Sequence, residues 1–300
     1  MKNFIPCGMV VPLLTPFKPD GSLDKLGLRR LTRRMITAGI HGVFPVGSSG
    51  EFWVLNDQER QEIIKTVVDE VAGAIPVYAG VGAIGTREVI EYCHLAEQLV
   101  ADALVAVTPF YISLSQTELY AHYAAIAQST SLPVIPYNNP GRTGNVNLEP
   151  VTVARLSEIE NLVGIKDSSG NIGQTLDYIN QSRPGFAVFQ GRDDMIFPSM
   201  VLGAVGGVVA EGNVAPELCV DLYNAFQSHD WEIAKEIQAK LAILRRALAW
   251  GTYPSALKAA MGMICEPVGD PRPPAAPLPV RYHNDLRIIL VKMGLPVPSL

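Results

Sequence analysis

The sequence is poor in the features that mark secreted, zinc-bound, nucleic-acid-binding and membrane-spanning proteins. Its four cysteines are scattered without a Cys-x-x-Cys pair, which argues against a disulfide framework or a structural zinc site. Charged residues make up 18% of the chain and the net charge is -5, so no basic field attracts a nucleic acid. Pro6, Pro12 and Pro16 interrupt the N-terminal segment, so we expect neither a signal peptide nor a membrane span. These shortages favour a reducing, cytoplasmic location.

What the sequence does contain is enough apolar material for one large buried core. Hydrophobic residues make up 48% of the 300 residues, which excludes a disordered or fibrous chain. A chain of this length exceeds a typical single domain but lies within the range that α/β barrels occupy as one unit. We therefore expect a globular enzyme with a small-molecule substrate.

Eight short apolar segments alternate with helical patterns along the first two-thirds of the chain. They cover residues 9–14, 42–46, 76–79, 103–107, 133–137, 162–166, 186–190 and 207–209. Nearly unbroken apolar strands with crossover helices indicate a parallel sheet that is covered on both faces. Eight such units predict an α/β fold of the (β/α)8 barrel type, with an open doubly wound sheet as the alternative.

The strand pattern stops near residue 215, and helical patterns continue to the end of the chain. We therefore divide the sequence into a barrel over residues 1–215, which carries the active site, and a C-terminal helical region over residues 216–300. Residues 266–280 are rich in proline and are predicted to form an extended connector within that region.

Polar side chains collect where the second, fifth and sixth predicted strands end, which is where barrel enzymes carry their chemistry. These segments read GSSGE (residues 47–51), YNNPGRTG (residues 137–144) and GIKDSSG (residues 164–170). Of the nine lysines, only Lys166 directly follows a strand with a buried pattern. Partial desolvation lowers the pKa of an amine and exposes the lone pair that a Schiff-base nucleophile needs. An ion pair between Lys166 and Asp167 is the alternative role.

Tyr137 and a serine pair are candidates to complete such a site. Tyr137 ends the fifth strand, where its phenol could pass protons, although a buried tyrosine can also serve packing alone. Ser48 and Ser49 lie in a glycine-flanked turn whose hydroxyls and N–H groups could grip a carboxylate, although a plain turn is the alternative. Asn56 and Glu59 predict a capping box at the start of the next helix.

Two further patterns bear on cofactors. Residues 80–85 match the Gly-x-Gly-x-x-Gly pattern after a strand, with Asp102 at about the spacing of a ribose-binding carboxylate, so an NAD-dependent oxidoreductase is an alternative from another class. The match lies in the third unit and not at the start of the chain, so a barrel loop explains it more simply. The five histidines lack metal-binding spacing, and we predict no metal and no cofactor.

The three strand-end segments, in this order, resemble the dihydrodipicolinate synthase and N-acetylneuraminate lyase superfamily of pyruvate-dependent class I lyases. The resemblance covers essentially the whole chain. Further landmarks are TPFY at residues 108–111, GRDD at residues 191–194 and LGAVGGVVAEGNV at residues 202–214. Together these motifs are specific for the superfamily and much less specific for any one member of it.

The resemblance implies four catalytic residues. Lys166 matches the lysine that forms the Schiff base, and Tyr137 matches the tyrosine that relays protons above it. Ser48 matches the hydroxyl that links this tyrosine to Tyr111, which in the family comes from the neighbouring subunit. The resemblance therefore implies a homo-oligomer, a dimer of dimers, in which a dimer completes each site.

The resemblance also implies how substrates bind. Ser49 matches the residue that grips the pyruvate carboxylate, and the main chain at Val208 matches a contact to the bound keto acid. Arg142 matches the arginine that binds the carboxylate of aspartate semialdehyde in dihydrodipicolinate synthases. The implied first hypothesis is condensation of pyruvate with aspartate semialdehyde, as 4-hydroxy-tetrahydrodipicolinate synthase catalyses it. A 2-keto-3-deoxy sugar-acid aldolase or dehydratase is the alternative, and a non-catalytic binding protein is another.

The sequence departs from the biosynthetic pattern at several positions. Ser48 and Ser49 stand where two threonines are usual, a change that preserves both hydroxyls. Apolar residues, among them Phe52 and Trp53, replace the polar groups of the lysine-feedback site, so we expect no strong inhibition by lysine. Because of these bulky residues and the unusual Glu211, a sugar-derived keto acid stays an alternative substrate.

Overall fold

Eight parallel strands form the centre of the molecule, for which a computed structural model describes residues 4–298. The strands are β1 (Gly8–Pro12), β2 (Gly42–Phe44), β3 (Tyr78–Gly80), β4 (Ala103–Val107), β5 (Val134–Asn138), β6 (Gly164–Asp167), β7 (Ala187–Gln190) and β8 (Gly206–Val208). They pair in the order β2-β1-β8-β7-β6-β5-β4-β3. A parallel bridge between Val43 and Val77 then joins the two ends of this order. The predicted (β/α)8 barrel is confirmed, and the doubly wound alternative is wrong.

The strands are short and almost wholly apolar because both of their faces are buried, one in the barrel interior and one under the helices. Two glycines allow β1 and β8 to meet. A Cβ atom on Gly206, whose φ is +150°, would lie 2.0 Å from the carbonyl oxygen of Gly8. Only glycine fits at such a close approach of two backbones. This seam brings the end of β8 beside the end of β1.

A helix follows every strand and covers the barrel. The eight helices are α1 (Lys25–Thr37), α2 (Asp57–Val71), α3 (Thr86–Gln98), α4 (Gln116–Gln128), α5 (Pro150–Ser157), α6 (Ile172–Gln181), α7 (Ile196–Val201) and α8 (Pro216–Gln227). The predicted capping box of α2 is confirmed. The Asn56 side chain accepts a hydrogen bond from the Glu59 N–H, and the Glu59 carboxylate accepts one from the Asn56 N–H. This cap fixes the turn that leads from β2 into α2.

Three more helices follow the barrel, namely α9 (Trp231–Ala247), α10 (Ser255–Met263) and α11 (His283–Lys292). α8 contacts β1 as an eighth barrel helix does, while α9 packs on α8 and on the 3-10 turn Asp193–Met195 that follows β7. The boundary after residue 215 stays a prediction. Among residues 4–298, no helix is both long enough and apolar enough to cross a membrane.

Candidate active site

A pocket opens at the carboxyl ends of the strands and gathers most of the predicted site residues. Ser48, Ser49, Arg142, Lys166 and Val208 all line it. They come from four different strand ends, β2, β5, β6 and β8, which the closed barrel brings to one mouth. These residues are far apart in the sequence, and the barrel topology explains why they lie close together in the structure.

Lys166 lines the pocket and is only 4% exposed. It pairs in register with Tyr137 of the neighbouring strand. Its Nζ atom lies 3.8 Å from the centroid of the Tyr137 ring and 5.2 Å from that of Phe44. Burial lowers the pKa of Lys166 below the ordinary lysine value, and the neighbouring Tyr137 phenol only partly opposes this effect. A larger fraction of neutral amine is therefore available for attack on a carbonyl.

The alternative role for Lys166, an ion pair with Asp167, is not what the geometry shows. The Asp167 side chain points the other way, where its carboxylate accepts hydrogen bonds from the Thr175 hydroxyl at 2.9 Å and the Asn138 amide at 3.1 Å. It also accepts two bonds from Ser169, from its N–H at 3.0 Å and its hydroxyl at 2.9 Å. Within the described chain Lys166 forms no salt bridge. Asp167 instead ties β6 to β5 and α6.

Tyr137 is buried beside Lys166, and its phenol oxygen accepts hydrogen bonds. The Asn139 amide donates to it at 2.7 Å and the Ser168 hydroxyl at 3.5 Å. Burial raises the pKa of Tyr137, but the Lys166 charge, these two donors and Arg142 together lower the pKa below the ordinary tyrosine value. A phenol with a lowered pKa gives up a proton more readily near neutral pH than an exposed tyrosine does.

The two remaining members of the predicted relay are not bonded to Tyr137 within this chain. Ser48 and Tyr137 line a small cavity together beside the main pocket, but no hydrogen bond joins their hydroxyls among the described contacts. Tyr111 follows β4, is 92% exposed and has a φ of 77°. It does not line the pocket of its own chain. Its predicted role in a neighbouring subunit's site stays a prediction.

Tyr253 is a pocket residue that sequence reasoning missed. It precedes α10, and its hydroxyl lies 2.5 Å from the Ser49 hydroxyl oxygen. The Arg142 guanidinium stacks over the Tyr253 ring at 4.3 Å from the centroid. Tyr253 therefore connects the two residues that were predicted to bind carboxylates. No local pattern marks it, because its position arises only when α9 and α10 fold back over the barrel mouth.

The lining of the pocket also includes an acidic and a basic residue that were not predicted as site residues. Asp193 and Arg245 both line it, and they come from the turn after β7 and from α9. The Asp193 carbonyl oxygen accepts a hydrogen bond from the Gln238 side-chain amide at 2.7 Å, which ties α9 to the turn. The GRDD motif pointed to Asp193, whereas nothing in the sequence singled out Arg245.

The glycine-rich loop does not form a dinucleotide site. Gly82 packs against β4, because a Cβ atom there would lie 2.7 Å from a Val107 methyl group. The Asp102 carboxylate accepts a hydrogen bond from the Val77 N–H at 2.9 Å, at the amino ends of the strands and so at the opposite end of the barrel from the pocket. Over residues 4–298, no three His, Cys, Asp or Glu side chains converge as a metal site would require.

Comparisons with known proteins match this chain over nearly its whole length. The model of the dihydrodipicolinate synthetase family matches residues 6–293. The 4-hydroxy-tetrahydrodipicolinate synthase of Methanopyrus kandleri is 39% identical over 290 residues, which is 96% of each chain. The crystal structure of dihydrodipicolinate synthase from Aquifex aeolicus is similar with a TM-score of 0.93 at 32% identity, covering 98% of this chain and 100% of that one. YagE, an E. coli K12 prophage protein of the dihydrodipicolinic acid synthase family solved with pyruvate, has a TM-score of 0.93 at 33% identity, covering 96% and 99%.

Proposed function

Because this chain belongs to the dihydrodipicolinate synthetase family, whose named homologues are lyases, we propose that it is a class I lyase that binds a 2-keto acid as a Schiff base on Lys166. The observation that carries the proposal is the position of the Lys166 amine, which is buried in the pocket, forms no salt bridge among residues 4–298 and contacts the Tyr137 ring. Pyruvate is the keto acid we favour, since the similar protein YagE was solved in complex with it.

The reaction follows from the chemistry of these groups. Lys166 Nζ attacks the C2 carbonyl, the carbinolamine oxygen takes up a proton and leaves as water, and an iminium forms. Tyr137 lies where it can pass these protons. Loss of a C3 proton then gives an enamine, whose C3 attacks an aldehyde carbon while the aldehyde oxygen takes up a proton. Attack on the imine carbon, by water or by an amino group of the product, frees Lys166.

Aspartate semialdehyde is the aldehyde that we propose for the second step. The relative from Methanopyrus kandleri is named for the product of this condensation. Arg142 lines the pocket and is stacked on Tyr253, so its guanidinium is held at a fixed place where it can bind a second carboxylate. Val208 and Ser49 line the same pocket as Lys166 and are the proposed contacts to the keto acid.

A 2-keto-3-deoxy sugar acid is the second candidate substrate, for cleavage or dehydration by the same lysine. One observation favours it. Asp193 places a buried carboxylate in the lining of the same pocket, where it could accept hydrogen bonds from the hydroxyl groups of such a chain. A substrate panel that follows pyruvate release or consumption separates the two candidates.

Reductive trapping tests the Schiff base directly. Incubation with pyruvate and borohydride should add the mass of the reduced keto acid irreversibly, and peptide mapping should place the adduct at Lys166. Lys258 is the internal control, because it is equally buried but is held by Glu51 at 2.6 Å. Absence of an adduct in folded wild-type protein would overturn the proposed chemistry.

Substitution of Arg142 tests the substrate. Arg142→Ala should raise KM for aspartate semialdehyde by about tenfold to a hundredfold, which corresponds to the loss of one charge-assisted hydrogen bond pair. Adduct formation with pyruvate alone should be much less affected. Arg246→Ala, which removes an exposed arginine on α9, is the matched control. Full activity of Arg142→Ala on aspartate semialdehyde would reject this substrate.

We also propose that the protein acts in the cytoplasm as a homo-oligomer, a dimer of dimers. The four cysteines, all within the described residues, are free thiols, which suits a reducing compartment. The exposed Tyr111 side chain beyond β4 is the feature that favours a neighbouring subunit. Light scattering of the purified protein measures the subunit number, and a monomeric mass would contradict the assembly.

A further inference from the structure

Two buried acidic residues are joined by a hydrogen bond, and one of them lines the pocket. Asp193 begins the turn after β7, and Glu211 lies in the 3-10 turn Ala210–Asn213 after β8. Both are buried, with exposed fractions of 2% and 0%. The Glu211 N–H donates to Asp193 Oδ1 at 3.1 Å, so the two turns are tied together. Of the two residues, Asp193 lines the pocket and Glu211 does not.

Neither carboxyl oxygen of Glu211 has a hydrogen-bond donor among the described residues. An ionised carboxylate buried in this way, next to a second carboxylate, would be strongly unfavourable. A proton on Glu211 resolves both problems, because a neutral carboxyl group can donate a hydrogen bond to Asp193. Burial first, and then the charge and the side-chain hydrogen bond of Asp193, raise the pKa of Glu211 well above the ordinary value.

The other groups that face Glu211 do not offset this effect. Arg245 of α9 favours the ionised form, but it makes no ion pair within residues 4–298 and its own Nε atom is buried without an acceptor. The side chains of Cys219 in α8 and Tyr253 before α10 carry no positive charge that could stabilise an ionised Glu211. Lys258 of α10 is held by Glu51, and β1 brings only apolar residues to this turn.

We propose that Glu211 stays protonated and donates a hydrogen bond to the Asp193 carboxylate, and that the pair thereby presents a single negative charge to the pocket and sets the affinity for the second substrate. The inference rests on the proposed function, since it takes the pocket as the place where two substrates meet. Arg142 and Arg245 make the pocket cationic toward anionic substrates. A second negative charge in its wall would weaken that attraction. Glu211 is therefore a positioning residue that acts through Asp193.

Infrared spectroscopy tests the proton without any substrate. The wild-type protein at neutral pH should show the C=O stretch of a buried protonated carboxyl group. Glu211→Gln should lose this band, and Glu217→Gln, which changes an exposed acid six residues further along the chain, should keep it. If Glu211→Gln does not fold, Asp193→Asn should shift the band to higher frequency, because its hydrogen-bond acceptor is no longer charged. A wild-type spectrum without the band would overturn the proposal.

The pH dependence of the second substrate's KM tests the consequence. In the wild type, KM for aspartate semialdehyde should rise about tenfold as the infrared band disappears with increasing pH, while kcat changes little. Glu211→Gln cannot lose a proton, so its KM should stay flat over that range, and Glu217→Gln should behave as the wild type. The same rise in KM for wild type and Glu211→Gln would overturn the role in affinity. Failure of the proposed chemistry would appear separately, as the absence of a Lys166 adduct.

Discussion

At the scale of single residues, Lys166 and Lys258 show how much a partner decides about a buried amine. Both are almost completely buried, and burial lowers the pKa of each. Lys258 faces Glu51 at 2.6 Å, whereas Lys166 faces the rings of Tyr137 and Phe44. The sequence could select Lys166 because it ends an apolar strand. It could not exclude an Asp167 ion pair, because that depends on which way the Asp167 side chain turns.

Replacing Lys166 with methionine should stabilise the protein while abolishing the adduct. Because the folded-state pKa lies below the ordinary lysine value, the unfolded chain binds the extra proton between the two values. The amine therefore destabilises the fold at neutral pH, and stability rises with pH across that interval. Lys166→Met should raise the free energy of unfolding at pH 7 by about 1–2 kcal/mol. Urea unfolding at pH 7 measures this, and a lower stability than that of the wild type would contradict the expectation.

Replacing Tyr137 with phenylalanine should slow adduct formation and leave the pocket otherwise intact. Loss of a proton-transfer group typically lowers a rate by about 10²–10⁴-fold. Rapid-mixing measurements of borohydride trapping give the rate. Tyr123→Phe is the matched control, since Tyr123 is also buried but donates to the Ala106 carbonyl at 3.0 Å and does not line the pocket. Equal trapping rates for Tyr137→Phe and wild type would exclude Tyr137 from the relay.

At the scale of secondary-structure elements, the strands could be predicted from the sequence. The contacts between turns and distant parts of the chain could not. Burial on both faces makes each strand a short apolar run, which a sequence displays directly. The turn after β2, in contrast, depends on distant contacts. Glu51 has a φ of 56°, and its carboxylate binds Lys258 of α10 and accepts from the Arg272 N–H at 2.9 Å. Arg272 lies in the proline-rich connector, which is thus tied to the turn that carries Ser48 and Ser49.

Breaking the link between this turn and α10 should be costly. Lys258→Met leaves the Glu51 carboxylate buried without its ion-pair partner, so we expect a loss of about 3–5 kcal/mol in the free energy of unfolding. Lys258→Met should therefore lower the free energy of unfolding, whereas Lys166→Met should raise it, although both variants introduce the same side chain. Adding Glu51→Gln should restore a large part of the loss, because the uncompensated charge is then removed. Urea unfolding of Lys258→Met and of the double variant measures these stabilities. Equal stabilities for the single and the double variant would contradict the expected effect of the Glu51 charge.

At the scale of the whole molecule, the pocket is assembled from parts that lie far apart in the sequence. The barrel topology brings together the strand ends that carry Ser48, Tyr137 and Lys166, so their proximity followed once the fold was predicted. Arg245 and Tyr253 reach the same pocket only because α9 and α10 dock on the barrel mouth. Helix patterns predict that such helices exist, but the place where they dock depends on long-range packing that no local pattern contains.

Tyr111 gives a prediction for the assembled protein. If Tyr111 completes a neighbouring subunit's site, Tyr111→Phe should lower activity by about 10²-fold. Lys166→Met should be inactive. When the two variants are mixed in equal amounts and reassociated, they form hybrid pairs of subunits. In each hybrid pair, one of the two sites contains both native residues. Since half of randomly formed pairs are hybrid and each has one intact site, activity should recover to about a quarter of the wild type. If Tyr111 served its own chain's Lys166, every hybrid site would lack one residue, and activity would stay at the low level of the separate variants.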